Sequence, residues 1–358
     1  MSGKQFGLSK KLKLELFARL QDKRIAEHKL TELFWECTLR CNAACLHCGS
    51  DCRVSSQVKD MPAADFLRVV DSITPHVDPH ITFIIFTGGE PLVRSDIEKV
   101  GRALYDREYP WGMATNAVLL DRRRFDSLLG SGLRTAAVSL DGFQEEHEWL
   151  RNCPNAFARA SEALRMMAAE PGFIFDVVTC VNQKNLPRLE EFKEYLISLG
   201  VRAWRIFTIF PVGRAKEHPE LQLSNEQFTE LMEFIARTRK EGRIGLNFAC
   251  EGFLGGYEEE VRDTPYHCEA GVSIASVLAD GSISACPSIR SNFYQGNIYR
   301  DDFWTVWNEG FRLYRDREWA RQGVCAECKM FRYCRGNGMH LHDEKRKLLV
   351  CHYGRLTR

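Results

Sequence analysis

No stretch of this chain is apolar for long enough to cross a membrane. The segment before the first strand also lacks the apolar core of a signal peptide, because residues 4–29 are rich in Lys and Arg with Leu and Phe interleaved at helical spacing. A cytoplasmic location is expected. Charge imbalance is missing too: 49 Lys and Arg stand against 48 Asp and Glu, a formal net charge of +1, so no basic footprint argues for nucleic acid. Apolar residues and cysteines are in good supply. Hydrophobic residues make up 44% of 358 positions, enough for a full core, and the length suggests about two domains. The 14 cysteines would suggest disulfides in a small secreted chain. Here they fall into clusters at metal-ligand spacing with no export signal, so a reducing, anaerobic setting is expected.

Apolar runs bounded by turn residues alternate with segments of helical period, the pattern of a parallel sheet with crossover helices. Strands are expected at 31–36, 81–87, 111–115, 135–140, 173–181 and 203–210. Helices are expected near 63–73, 95–107, 121–129, 157–169, 186–199 and 225–241. Six such units make an α/β fold, a partial (β/α)6 barrel over 31–242, with functional residues collecting where strands end. Residues 1–30 read as a helical extension whose solvated, amphipathic helix packs on the barrel. From 243 to 358 the pattern changes to short β-like runs and many turns, a small cysteine-rich domain.

The first strand runs into Cys41-Asn42-Ala43-Ala44-Cys45-Leu46-His47-Cys48, three thiols at the spacing C-x3-C-x2-C. Thiolate is the ligand that a 4Fe-4S cube prefers, and three local thiols leave one iron open to something that is not protein. A structural zinc site would want a fourth local ligand. The loop resembles the signature of the radical SAM enzymes, with His47 at their aromatic position. The resemblance implies a 4Fe-4S cluster on Cys41, Cys45 and Cys48, with S-adenosylmethionine (SAM) chelating the open iron and His47 packing near the adenine.

Further motifs follow at the ends of the expected strands. Thr87-Gly88-Gly89-Glu90-Pro91 resembles the family's GGEP motif, which implies that Gly88, Gly89 and Glu90 hold the SAM amino group. Thr115-Asn116 is similar to the T-N-G turn, with Ala117 where glycine is usual, and Asn116 joins the expected site. Ser139-Leu140-Asp141-Gly142 resembles the family's S-L-D-G, implying that Ser139 and Asp141 approach the ribose and carboxylate of SAM. Arg151 matches a position whose guanidinium meets the SAM carboxylate, with a surface salt bridge as the competing reading. Cys180 and Asn182 share one face of strand five. If that face is the barrel interior, Asn182 lies near SAM and the Cys180 thiol, deeper, is placed to donate a hydrogen atom, although a lone strand cysteine is more often a small core residue. Cys37, Cys52 and Cys153 read as core. Pro211-Val212-Gly213-Arg214-Ala215 is similar to a P-x-G-R-A turn of the same branch, and its Arg214 either faces substrate or caps the barrel mouth.

In the tail, Cys268, Gly281, Cys286, then Cys325-x2-Cys328-x5-Cys334 and a terminal Cys351 resemble the SPASM auxiliary-cluster domain. One cysteine of that pattern is replaced by Gly338. By the resemblance, Cys325, Cys328, Cys334 and Cys351 form a complete distal set, whereas Cys268 and Cys286 are short of ligands. Cys250 is a candidate third, and His340 or His342 a fourth; an open iron, or no proximal cluster, are the other readings. Four thiolates in two pairs also suit zinc, but the radical SAM barrel in the same chain favours iron and sulfide. One or two auxiliary clusters are expected.

The chemistry implied is one-electron reduction of SAM by an external reductant, cleavage to methionine and a 5′-deoxyadenosyl radical, and abstraction of a substrate hydrogen. Because SPASM enzymes mostly act on peptides, a peptide or small-protein substrate is expected, modified by crosslinking, oxidation or epimerisation. The stretches around Cys41 and Cys334 look most like a subgroup tied to small lipoproteins. The roughly 30 residues before strand one are too few for a leader-binding module, so a separate recognition partner or the barrel itself would hold the peptide. Small-molecule or tetrapyrrole chemistry, sulfatase maturation and a non-catalytic iron-sulfur electron carrier are the alternatives. A carrier has no need of Glu90, Ser139 and Asp141 at strand ends.

Overall fold

The computed structural model describes residues 7–289 and 292–357. Its frame is one sheet. β1 (Glu32–Thr38), β2 (Phe83–Gly88), β3 (Trp111–Thr115), β4 (Leu133–Ser139), β5 (Ile174–Val181) and β6 (Ala203–Thr208) lie side by side in parallel, each within about two residues of its expected bounds. A seventh parallel strand, β7 (Gly245–Phe248), pairs with β6 just beyond residue 242, where the sequence pattern changes.

The tail is joined to the barrel through the opposite edge. β8 (Ile274–Val277) pairs in parallel with β1, placing Leu33 beside Ala275, and β9 (Ser282–Ser284) and β10 (Gly296–Asn297) extend the sheet antiparallel. The strand order β10-β9-β8-β1-β2-β3-β4-β5-β6-β7 is linear, so the curved sheet stays open as a partial barrel.

Crossover helices cover the outside. They include α2 (Ala63–Ile73), α3 (Ile97–Tyr105), α4 (Arg122–Gly130), α5 (Gln144–Arg151), α6 (Ala156–Ala169), α7 (Leu189–Ser198) and α8 (Asn225–Glu241). The last begins with a Ser224/Gln227 capping box and ends at Gly242, whose φ of 68° suits glycine. Between sheet and helices, Trp35 stacks on Phe66 with centroids 4.6 Å apart and meets the edge of Phe86 at 5.4 Å. Aromatic residues of this size contribute about 1.5–3 kcal/mol each on full burial, and this cluster fixes the end of β1 that feeds the cysteine loop.

The N-terminal helix, Leu8–Glu27, does not pack on the barrel as its pattern suggested. It lies on the tail instead: Leu14 packs with Phe253, Tyr266 and Cys334, and ion pairs link Lys10 to Glu260, Arg24 to Glu269 and Arg332 to Glu15. The acidic tail residues Glu259 and Glu260 pair with Lys13 and Lys10 of this basic helix.

Candidate functional site

The loop after β1 is aimed by a register irregularity. β1 and β2 slip between Glu36 and Thr38, so that Cys37 bulges and the chain turns over the end of β2. Asp60 then anchors the turn, accepting hydrogen bonds from Thr38 Oγ1 at 2.6 Å and from Arg40 Nη2 at 2.5 Å. Gly88 and Gly89 lie directly beneath. A Cβ on Gly88 would stand 2.1 Å from the Thr38 carbonyl oxygen, and one on Gly89 2.1 Å from that of Arg40, so only glycine lets the loop settle on β2. Gly88 also has φ of +131°.

Cys41, Cys45 and Cys48 line one cavity of about 200 Å³ with His47, Cys52, Thr87, Gly88, Gly89, Asn116, Ser139, Arg151 and Arg214. The motif residues from four strand ends are thereby gathered at one place. Backbone N–H groups of Ala43 and Cys52 donate to Cys41 Sγ and Cys48 Sγ, both at 3.4 Å. Burial pushes the Cys41 thiol up to about 12 and raises Cys45, whereas a hydrogen bond with the Cys52 side chain brings Cys48 down to about 5. His47 is pushed down to about 3 by burial and by Arg151, so its ring is neutral, and its buried Nδ1 has no hydrogen-bond partner.

Three of the expected contact residues have other tasks. The Glu90 carboxylate is fully buried below the cavity, where it accepts from Leu92 N at 3.1 Å, Thr115 Oγ1 at 2.7 Å and Asn116 N at 2.7 Å. It is a strut between the ends of β2 and β3, and it leaves the cavity wall to Asn116, whose Nδ2 donates to Asn42 Oδ1 at 2.8 Å. Asp141 is fully buried and pairs with Arg151 at 2.6 Å, while its Oδ1 accepts from Cys180 N at 2.8 Å. Burial alone would push the Asp141 carboxyl up; Arg151 and His147 outweigh it and hold it well below the usual carboxylate range. Arg151 is thus held in a buried ion pair, not a surface one, and its Nη1 reaches 3.9 Å from Cys45 Sγ. Asn182 is 1% exposed and caps its own turn, with Oδ1 accepting from Lys184 N at 2.9 Å and Asn185 N at 3.3 Å. Its use as a turn cap, one residue beyond the end of β5, was not legible in the sequence.

The sequence left the role of Arg214 open. The guanidinium clamps the cysteine loop: Nε donates to Cys45 O at 2.7 Å, and Nη1 to Cys52 O at 2.9 Å and Asp51 Oδ1 at 2.6 Å. Beside it, Arg214 N donates to Cys48 O at 3.1 Å, and Gly213 sits so close that a Cβ would be 2.4 Å from the same carbonyl oxygen.

A second cavity of about 290 Å³ shares His47, Thr87 and Gly88 with the first. Val178, Cys180, Phe207, Thr208, Ile209, Phe210 and Val212 line it from β5 and β6, and Pro287 and Ser288 close it from the tail. Cys180 therefore faces a cavity, and burial raises its thiol far above neutrality, so the sulfur keeps its hydrogen.

In the tail, the distal four thiols are near neighbours. Cys325 feels the charges of Cys351 and Cys328, and Cys334 those of Cys351 and Cys325; burial pushes Cys325 up to about 11 and Cys334 up to about 12. Asn337 N donates to Cys334 Sγ at 3.2 Å and Gly354 N to Cys351 Sγ at 3.3 Å. Thiolates backed by N–H groups are soft donors of the kind that iron-sulfur clusters take.

Comparison with known proteins agrees with this donor chemistry. The model of the radical SAM superfamily matches residues 35–196, and that of the SPASM iron-sulfur cluster-binding domain matches residues 268–329. This chain is a radical SAM protein with a C-terminal SPASM domain. Its cofactors are SAM, a 4Fe-4S cluster and auxiliary iron-sulfur clusters.

Among curated relatives, it is 27% identical over 320 residues to the AdoMet-dependent heme synthase of Methanosarcina barkeri, covering 84% of this chain and 89% of that protein. It is also 27% identical over 317 residues to the mycofactocin maturase MftC of Mycolicibacterium smegmatis, covering 86% and 77%. Among solved structures, Streptococcus suis SuiB bound to S-adenosylmethionine matches with a TM-score of 0.67 at 17% identity, over 90% of this chain and 77% of that one. The anSMEcpe enzyme with bound AdoMet matches with a TM-score of 0.71 at 18% identity, over 91% and 94%.

Proposed function

We propose that this radical SAM enzyme abstracts a hydrogen atom from an apolar side chain or α carbon of a peptide or small protein, and so catalyses a crosslinking, oxidation or epimerisation. Cys41, Cys45 and Cys48 would hold a 4Fe-4S cluster, which when reduced would supply the electron for cleavage of SAM to methionine and a 5′-deoxyadenosyl radical. The three thiols hold that cluster, Gly88, Gly89, Asn116, Ser139 and Arg151 form the wall facing SAM, and His47 lies beside the adenine. Glu90 and Asp141 act from beneath, fixing the strand ends and the Arg151 guanidinium. An external one-electron reductant supplies the electron, and a separate recognition partner or the barrel mouth holds the peptide.

The observation that carries the substrate reading is the second cavity. It adjoins the SAM-facing wall, its lining is largely apolar, and its described lining residues include no Asp, Glu, Lys or Arg. Such a space accepts a hydrocarbon side chain without stranding a charge. The Cys180 thiol at its edge would give a hydrogen atom to a substrate radical on that face, and the thiyl left behind would be restored by one electron from the external reductant and a proton.

A second reading, oxidation of a carboxylated tetrapyrrole, is favoured by the similarity to the heme synthase. Its substrate carboxylates would need cationic partners that the described cavity lining does not offer. Intact mass of a small protein encoded beside this gene, coexpressed anaerobically with wild type and with Cys45→Ala, decides between them. Loss of two hydrogens, or an unchanged mass with altered residue chirality, seen only with wild type supports the peptide reading. No change in a preparation that cleaves SAM, together with turnover of an iron-coproporphyrin, would overturn it.

A further inference from the structure

The proximal auxiliary site is one thiol short, and Gly338 stands where the SPASM pattern has its cysteine. Its backbone does not ask for glycine, since φ of −63° and ψ of 145° are open to any residue. Space does. A Cβ at this position would lie 2.6 Å from Cε1 and 2.9 Å from Nδ1 of His340, and 2.8 Å from the carbonyl oxygen of Glu251. The His340 imidazole thus fills the room into which a side chain at 338 would project.

That ring is only 9% exposed, it packs on Phe210 with centroids 4.7 Å apart, and its buried Nε2 has no hydrogen-bond partner among the described residues. A buried nitrogen left unpaired is costly, unless something outside the chain binds it. His342 is engaged elsewhere: its Nδ1 lies 3.1 Å from Gly338 O and its ring meets Trp319 edge-on.

The remaining donors gather nearby. Gly338 N donates to Glu251 O at 3.0 Å, which brings the neighbouring Cys250 to this place. Cys250 is an exposed free thiol, and among charged neighbours it feels Cys286 and Cys268 most. Pro287 and Ser288, next to Cys286, line the same cavity as Phe210.

We infer that the proximal auxiliary cluster is held by Cys250, Cys268, Cys286 and, as fourth ligand, Nε2 of His340. Imidazole is an accepted iron-sulfur ligand and raises the potential of the cluster relative to thiolate. The inference rests on the tail as an iron-sulfur domain and is independent of the substrate.

The test uses the full chain with Cys41, Cys45 and Cys48 all changed to Ala, so that only auxiliary clusters contribute. Labelled with 15N-histidine, reconstituted and reduced, it is expected to hold about eight irons and to show an imidazole nitrogen coupling in pulsed EPR. The coupling is expected to vanish in His340→Ala and to persist in His267→Ala, the histidine next to Cys268. Gly338→Cys alone, forced against the His340 ring, is expected to lose about four irons. Paired with His340→Ala it is expected to regain them, without the coupling and at a more negative midpoint potential. A parent chain with only about four irons, with no histidine coupling, or with one that survives His340→Ala, overturns the assignment.

Discussion

Ala117, which stands where the T-N-G turn that this stretch resembles has glycine, carries backbone strain. It is fully buried and adopts φ of +59° in the turn after β3, a left-handed conformation that costs an L-residue about 1–2 kcal/mol. Ala117→Gly is therefore expected to raise unfolding free energy by about 1 kcal/mol, read as a higher urea midpoint at unchanged slope. Asp141 is the opposite case, a residue whose loss exposes a charge to an apolar interior. Asp141→Asn leaves Arg151 buried without its counter-ion, and a loss of about 3–5 kcal/mol is expected in the same experiment. Because Arg151 depresses the folded-state pKa of Asp141, the stabilising contribution is fully present above the ordinary carboxylate value of 3.8 and is lost only as pH falls below it. Acid unfolding curves of the two proteins should converge at low pH; parallel curves would contradict the pairing.

At the level of elements, the loop between β6 and α8 is a brace on the cysteine loop. Arg214 holds two of its carbonyls and Asp51, and the Gly213 turn rests on Cys48. Arg214→Gln is expected to release about four irons, those of the SAM-site cluster, while the tail keeps its own; retention of all iron with normal SAM binding would make the clamp dispensable. These contacts mark where the sequence stops being readable. The cluster ligands were legible because three of them lie within eight residues and thiols at that spacing have few other uses. The six β/α units were legible from period alone. Arg214 was not, since its partners lie more than 160 positions away. Glu90, Asp141 and Asn182 were expected at strand ends as ligand contacts; the hydrogen bonds they make inside the protein were not legible, because a motif shows where a polar side chain sits and not which backbone N–H groups it satisfies. β7 and β8 escaped for another reason: four residues each are too few for a periodicity to register.

Across the whole molecule, barrel and tail share one sheet, and the tail's Pro287 and Ser288 close the cavity that β5 and β6 open. The auxiliary domain is thus a wall of that cavity as well as a metal carrier. Cys328→Ala should remove about four irons, those of the distal cluster, while the SAM-site cluster stays; zinc in their place by elemental analysis would contradict the iron-sulfur assignment. The proposed function requires one open-cornered cluster at Cys41, Cys45 and Cys48 to drive radical chemistry. Release of 5′-deoxyadenosine from the reconstituted, anaerobically reduced chain supplied with SAM tests it. Wild type is expected to give 5′-deoxyadenosine and methionine in equal amounts, and Cys45→Ala none above background. A wild-type chain that binds SAM without cleaving it, or a Cys45→Ala chain that cleaves it as fast, would overturn that reading.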